Sequence, residues 1–462
     1  MLTLQEIAGA VGGQTVGEPS INQPITSVVV DSRQVTPGSL FVALKGQKHD
    51  GHDFLLDAFV KGARAALVER VPADDSLQAG GQLPPLIRVP DTMEALQGLA
   101  RWWRERLGLR VVAVTGSVGK TTTKEVAASV LSHHTEVLKN EGNLNTETGV
   151  PLTILRATPK HKVIVLEMGM YALGEIRALS RLAMPEVGVV TNVGPTHLER
   201  LGSIERIAEA KGELVEELPE TGLAVLNYDD ERVRAMAART RARVAFYGME
   251  PQADFWADAV QSRGLQGTQF DLRWGKEWVH VRMPLLGLHS VQAALASAAV
   301  AHHFGMTLDE IAAGLHEVSG ALRLIVAAGI NGSTVIDDSY NASPASTLAA
   351  LNLLSELEGR KVAVLGDMRE LGSYTEEGHR RVGRRAADVA DLVVAVGDLG
   401  KTIGDEALDA GRDRESVFVA QTNSEAIQHL KGILRPGDCV LVKGSRGMRM
   451  EEIVEAIRCP TR

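Results

Sequence analysis

The stretch 111–124, VVAVTGSVGKTTTK, constrains this chain more than any other. A β-branched run from Val111 to Val114 stops at a glycine-containing turn, and a helical pattern through Val126 and Leu131 follows. Strand, turn and helix in that order bring backbone N–H groups to a helix N-terminus, where the helix dipole favours negative charge. Lys120 can reach terminal phosphates, and the Thr121 hydroxyl can hold a magnesium ion. Gly116 and Gly119 let the backbone approach closely. The fuller phosphate-loop pattern has a glycine where this chain has Val114, so the form here is the shorter Thr-Gly-x-x-Gly-Lys-Thr. A Gly-Lys-Thr triplet alone would suit an ordinary turn equally well. The flanking strand and helix favour a nucleotide site made from Thr115, Gly116, Ser117, Val118, Gly119, Lys120, Thr121 and Thr122.

The rest of the chain repeats the strand-then-helix rhythm, which predicts an α/β fold. The 462 residues suggest three domains at ~150 residues each. Residues 1–88 read as a small α/β domain, with strands at 27–31, 40–44 and 65–68 and a helix at 54–60. A helix over 92–107 leads into a central domain, 89–325. Its strands are expected at 111–115, 162–167, 187–192, 223–227 and 243–247, and their unbroken apolar character suits a mostly parallel sheet covered on both faces. FDLRW and WVHVRM, separated by Gly275-Lys276, alternate as an antiparallel hairpin. An alanine-rich helix is expected over 289–303. A third domain, 326–462, restarts the alternation with strands at 334–338, 361–366, 391–396 and 438–442. Polar segments follow these strands, where open α/β sheets bind ligands.

The net charge of −9, with both signs interspersed, argues against nonspecific contact with nucleic acid or anionic membrane. The N-terminus lacks a signal-peptide pattern, and no apolar run of ~20 residues could span a membrane. A cytoplasmic protein is expected, as a monomer. Cys439 and Cys459, the two cysteines, read as incidental thiols.

Three residues are candidate metal ligands. Glu167 closes the apolar run VIVLEMGM, where a carboxylate can coordinate magnesium; a capping or ion-paired acid is the plainer alternative. His197 ends VVTNVGPTH, although magnesium prefers oxygen and a lone histidine is more often structural. Lys211, in AEAKGEL, would repel a cation as an amine, and base rates favour a solvated helix lysine.

Taken together, these segments resemble the Mur ligase family along essentially the whole chain. DSRQVTPGSLFVALKGQKHDGHDF is similar to the family's uridine-binding segment, and AVTGSVGKTTTKE to its phosphate loop. EGNLNTETGVPLT, EMGM, TNVGPTHLERLGS, AKGEL, IDDSYNASP, AVLGDMRELG and LVKGSR follow in family order. The GNLN, EMGM and YNASP versions resemble the member that adds D-alanyl-D-alanine to UDP-N-acetylmuramoyl-tripeptide. The resemblance implies a uridine-binding N-terminal domain, a central mononucleotide-binding domain and a Rossmann-like C-terminal domain. It implies that a peptide carboxylate takes the γ-phosphate of ATP, and that the dipeptide amine then displaces phosphate from the acyl phosphate. Two magnesium ions are implied, one on Thr121 and Glu167, the second supported by Glu167, His197 and Lys211 carrying a carbamate.

Further roles come from the resemblance. Ser32, Arg33, Lys45 and His52 match the uridine diphosphate side, and Asn143 and Asn145 the muramoyl-peptide side. His289 matches the adenine side, and Arg323 and Asp338 the phosphate and ribose of the nucleotide. Asn341, Ser445 and Arg446 fall where the incoming dipeptide is expected, and a guanidinium suits its carboxylate. This chain departs from the family at Val118, where asparagine is usual, and at Ser290 and Ala293, which replace two asparagines. It also departs in the Gly-Ala-Leu-Arg-Leu around Arg323. A folylpolyglutamate synthase shares loop and fold but should lack the N-terminal segment; another amino-acid ligase of the family is the second alternative. A P-loop kinase or switch GTPase needs neither the GNLN segment nor a third domain.

Overall fold

Alternating faces organise the first sheet. Leu40 and Val42 point into a core with Leu4, Ile7, Leu67, Ile87, Leu96, Leu99 and Trp103. Phe41 and Ala43, between them in sequence, point into another with Leu55, Ala58, Ala66, Val68 and Leu86. The computed structural model describes residues 2–17, 24–46, 48–71, 84–287, 289–318 and 325–459. It divides into two compact units: Met1–Ala113 with Thr135–Met170 and Glu175–Glu186, and Val114–His134 with Tyr171–Gly174 and Val187–Arg462.

In the first unit a five-stranded sheet runs in the order Gln14–Val16, Leu86–Arg88, Ala65–Val68, Ser39–Val42, Ser27–Val29. The Gln14–Val16 strand is antiparallel and the others are parallel. The helix Thr92–Leu107 is punctuated by its own sequence. Asp91 accepts the Glu94 N–H at 2.8 Å, and Gly108 ends the helix in the left-handed conformation. The strands Val137–Lys139 and Val163–Glu167 pair in parallel in this unit. Asn140 ties them: its Oδ1 accepts the Glu167 N–H at 2.8 Å, and its Nδ2 donates to the Glu167 carbonyl at 3.0 Å.

In the second unit the strands Val187–Val190, Leu223–Asn227, Arg243–Gly248 and Phe255–Ser262 pair in parallel in succession. Thr268–Trp274 and Glu277–Met283 continue as an antiparallel meander, turning at Gly275-Lys276 as expected. The helix Lys120–Ser132 packs against the alanine-rich helix His289–His303. A six-stranded sheet follows in the order Ile325–Ala328, Thr334–Asp338, Cys439–Lys443, Lys361–Gly366, Leu392–Val396, Val417–Ala420. Its first pair is antiparallel and the rest parallel, with one core on each face. The α/β class read from the sequence is the class observed. Among the described residues no helix is long and apolar enough to cross a membrane.

Candidate active site

The turn after the strand Arg110–Thr115 is held by the end of its neighbour. The strand expected over 187–192 stops at Val190, because the next two residues turn their polar groups to the loop. Thr191 Oγ1 donates to the Val118 carbonyl at 2.7 Å, and Asn192 Nδ2 donates to the same oxygen at 2.8 Å. Asn192 Oδ1 accepts the Val118 N–H at 2.9 Å. Ser117 is fixed too: its N–H reaches the Asn192 carbonyl at 2.9 Å, and its Oγ accepts the Gly194 N–H at 2.8 Å. Only the backbone of Val118 is used, so valine serves where asparagine is usual in the family. A Cβ on Gly116, whose φ is 147°, would collide with Thr191 Oγ1.

Gly119, at φ 86°, opens the 13-residue helix Lys120–Ser132 without a side-chain cap. That leaves the first-turn N–H groups suited to an anion rather than to a capping side chain. Lys120 Nζ bends over the loop and donates to the carbonyls of Gly116 at 2.8 Å and Ser117 at 3.2 Å. Beside the loop lies a cavity of about 140 Å³ lined by Val118, Asn192, Gly194, Thr196, Ser343 and Pro344. Thr115 is buried, and Thr121 and Thr122 are half-buried on the helix's first turn.

Lys211 sits in the helix Ile204–Glu216 and is only 2% exposed. Burial, and then the positive charge of Lys120, push its ammonium well below the ordinary lysine range. His197 has a φ of 57° and precedes the short helix Leu198–Leu201. Burial pushes its imidazole below the usual range. The Glu370 charge opposes this, while Lys120 and Lys211 add to it. His197 Nδ1 is 2.8 Å from Glu370 Oε2, an ion-pair distance without hydrogen-bond alignment. The second unit therefore gathers Lys120, His197 and Lys211.

In the first unit Glu167 ends its strand 3% exposed, and its Oε1 accepts from Asn145 Nδ2 at 3.0 Å. Asn143 is exposed. Ser32 is buried. Arg33 is exposed and pairs with Asp31 at 2.7 Å. The exposed Lys45 bridges Asp50 through its backbone. His52 is buried with both ring nitrogens engaged, Nδ1 at 2.6 Å from Asp50 Oδ1 and Nε2 accepting the Glu69 N–H at 2.9 Å.

At the carboxyl ends of the six-stranded sheet, Lys443 Nζ joins the Asp338 carboxylate at 2.6 Å and the Asn341 carbonyl at 2.9 Å. The charges of both Asp338 and Lys443 reach the His289 imidazole. Ser445 is buried, accepting the Arg369 N–H at 2.8 Å. Arg446 lies over the Tyr340 ring at 5.3 Å. Ser290 turns its hydroxyl onto the Gly287 carbonyl at 2.7 Å, and Ala293 is buried. Arg323 falls outside the described residues. Thr191, Asn192, Lys443 and Glu370 are not among the candidates that the sequence offers. Polar residues directly after an apolar strand were the available signal for the first two.

Among the described residues no three His, Cys, Asp or Glu side chains are gathered as a metal cage. A buried lysine pressed toward its neutral amine fits the carbamate expectation. The neutral amine is the form that attacks carbon dioxide, and the product is an anionic oxygen donor of the kind magnesium prefers.

Comparison with known proteins agrees along the chain. A model described as the Mur ligase middle domain matches residues 114–301. One described as the Mur ligase, glutamate ligase domain matches 322–446, and one described as the Mur ligase family, catalytic domain, matches 24–104. The UDP-N-acetylmuramoyl-tripeptide–D-alanyl-D-alanine ligase of Bacillus subtilis is 39% identical over 462 residues, spanning 98% of this chain and 97% of its own. A crystal structure of MurF from Acinetobacter baumannii superposes with a TM-score of 0.86 at 32% identity, covering 98% of each chain. MurF ligase from Thermotoga maritima in complex with ADP gives 0.80 at 31% identity, covering 94% of this chain and 97% of its own. On this evidence, full-length and across all three segments, the chain belongs to the Mur ligase family.

Proposed function

We propose that this chain is an ATP-dependent ligase that joins D-alanyl-D-alanine to UDP-N-acetylmuramoyl-tripeptide in the synthesis of peptidoglycan precursor. One observation carries the reading: the 39% identical relative of that name spans 98% of this chain. The match to residues 24–104 argues against a folylpolyglutamate synthase, which has no use for a uridine segment. ATP use is supported by the ADP-bound relative. We propose the division 1–88, 89–325 and 326–462 for the uridine, ATP and C-terminal domains, and the cytoplasm, where ATP is available, as the location.

In the proposed reaction the terminal carboxylate of the tripeptide attacks the γ-phosphorus of ATP. The bond to the β-phosphate bridging oxygen breaks, and ADP leaves. The free amine of the dipeptide then attacks the acyl carbon, a proton departs from nitrogen, and phosphate leaves as the amide forms. The loop's N–H groups and Lys120 hold the phosphates, and positive charge gathered there favours the crowded anionic transition state. Residues proposed to hold magnesium are Thr121, Glu167, His197 and Lys211 as its carbamate; bound magnesium would neutralise phosphate charge. Ser32, Arg33, Lys45 and His52 are proposed for the uridine diphosphate and Asn143 and Asn145 for the muramoyl-peptide. His289, Arg323 and Asp338 are proposed for the nucleoside and its phosphate, and Asn341, Ser445 and Arg446 for the dipeptide.

The test is phosphate release from ATP with UDP-N-acetylmuramoyl-tripeptide, with and without D-alanyl-D-alanine, with the product mass determined. Release that needs both, and a product heavier by the dipeptide less water, is expected. A folded chain that makes no ADP with both substrates present overturns the proposal. A product carrying a single amino acid instead would assign it to another branch of the family.

A further inference from the structure

The segment after the strand Lys361–Gly366 is pinned residue by residue before it reaches Glu370. Asp367 Oδ1 accepts the N–H groups of Leu399 and Gly400 at 3.0 and 2.9 Å. Met368 N–H donates to His379 Nε2 at 3.0 Å, and Arg369 N–H donates to Ser445 Oγ at 2.8 Å. Glu370 then adopts a φ of 64°. That conformation costs a residue with a Cβ roughly 1–2 kcal/mol. Its carboxylate meets Nδ1 of His197 at 2.8 Å, and His197 is itself left-handed at φ 57°. Six non-glycine residues have positive φ among the described residues, and two of them face each other here. Strain of this kind persists where the surroundings over-determine it and gathers at functional positions.

The contact is also close on its flank. Gly372 has a φ of 54°, and a Cβ there would lie 3.0 Å from the Glu199 nitrogen. The turn therefore rests on the backbone of the helix Leu198–Leu201. On the other side the Tyr171 ring meets His197 edge-on at 5.2 Å, and Arg200 covers that tyrosine at 4.6 Å. The imidazole is thus bounded by a carboxylate at Nδ1 and an aromatic edge. Its Nε2 hydrogen-bonds to no described residue.

We propose that Glu370 is a positioning residue: it binds the Nδ1 side of His197, selects the Nδ1–H tautomer, and leaves the Nε2 lone pair turned to the reaction site. At 2.8 Å the carboxylate acts on Nδ1 by charge and proximity rather than through an aligned hydrogen bond, and a negative oxygen that close favours a proton on Nδ1 over a lone pair there. Glu370, Asn341 and Ser445 each follow a strand of the same six-stranded sheet, at its carboxyl ends. The proposal thus links the His197 ring to the loops that carry the residues proposed for the dipeptide, through the turn that rests on the helix Leu198–Leu201. The catalytic consequence rests on the ligase reading; the tautomer does not.

The experiment uses the full-length chain, free of metal, with histidine labelled with a nitrogen isotope. Long-range proton–nitrogen spectra report ring protonation, and the His197→Gln variant identifies the resonance. The wild type should show Nδ1–H and an unprotonated Nε2, and Glu370→Ala should lose this preference while keeping the wild-type melting temperature. In turnover assays Glu370→Ala should lower kcat about 10–100-fold, with KM values for ATP and peptide nearly unchanged, and Glu370→Asp should regain part of the loss. Identical His197 nitrogen shifts in wild type and Glu370→Ala overturn the inference, as does an unchanged kcat. A chain that shows the tautomer change yet never forms the amide sinks the ligase reading and leaves the positioning role standing.

Discussion

Thr191 donates its hydroxyl to the backbone carbonyl of Val118 at 2.7 Å, so the end of one strand grips the phosphate loop through its main chain. Asn192 completes the grip on both backbone groups of Val118. Removing it leaves a donor unpaired and an acceptor with one partner fewer, at a cost of about 1–3 kcal/mol. Asn192→Ala should therefore weaken ADP binding about tenfold by isothermal titration calorimetry. Binding equal to the wild type would show that the grip is dispensable.

Lys211 should prove essential for turnover but replaceable in part. Lys211→Ala removes the buried amine, and added formate or acetate is expected to restore a fraction of the rate by supplying the missing anionic oxygens. Isotope-labelled bicarbonate should give a carbamate carbon signal in the wild type that vanishes in the variant. Neither rescue nor signal would leave the lysine as a plain buried amine.

Asp50 sets an acid limb on stability. The His52 N–H, then the His52 ring and Arg70, hold its carboxyl down at about 2, against an ordinary 3.8. The folded state thus binds the proton less readily than the unfolded one. The stabilisation is complete above about pH 4 and is lost as pH falls toward 2. Because the carboxylate is partly exposed, its contribution is on the order of 1 kcal/mol. Asp50→Asn should flatten the fall of urea-unfolding stability between pH 4 and 2; an unaltered slope would assign the acid limb to other carboxylates.

The sequence was most legible where elements carry their own punctuation. The helix Thr92–Leu107 is bounded by Asp91 and Gly108, and the hairpin by Gly275-Lys276. The strands Ile325–Ala328 and Val417–Ala420 are not among those that the sequence predicts. Both are four-residue edge strands that take their definition from a single neighbour. Phe255–Ser262 was obscured by its irregularity, with Ala259 at φ 49° and a register shift between Asp258 and Gln261. In the site, Lys120 and Thr121 announced themselves through local pattern. Glu370 did not, because a single acid in AVLGDMRELG gives no local sign of a distant histidine. Lys443 was hidden in the same way, as one lysine closing an apolar strand.

Arg360 should matter for stability out of proportion to its exposure. It reaches Asp438 through Nε at 2.8 Å and Nη2 at 2.6 Å, and the aspartate side chain is 1% exposed. Arg360→Met leaves that carboxylate buried with the Arg435 N–H, at 2.9 Å, as its remaining short contact. The expected loss is about 3 kcal/mol in urea unfolding. A loss below about 1 kcal/mol would mean that the pair contributes no more than a surface bridge.

The helix behind the phosphate loop leans on a neighbour built largely from alanine, His289–His303. Alanine has no side-chain torsion to redistribute, so each alanine in that seam holds no rotamer disorder to release on warming. Warming therefore has less to loosen in the wall on which the glycine turn is mounted than it would in a seam of long, many-rotamer side chains.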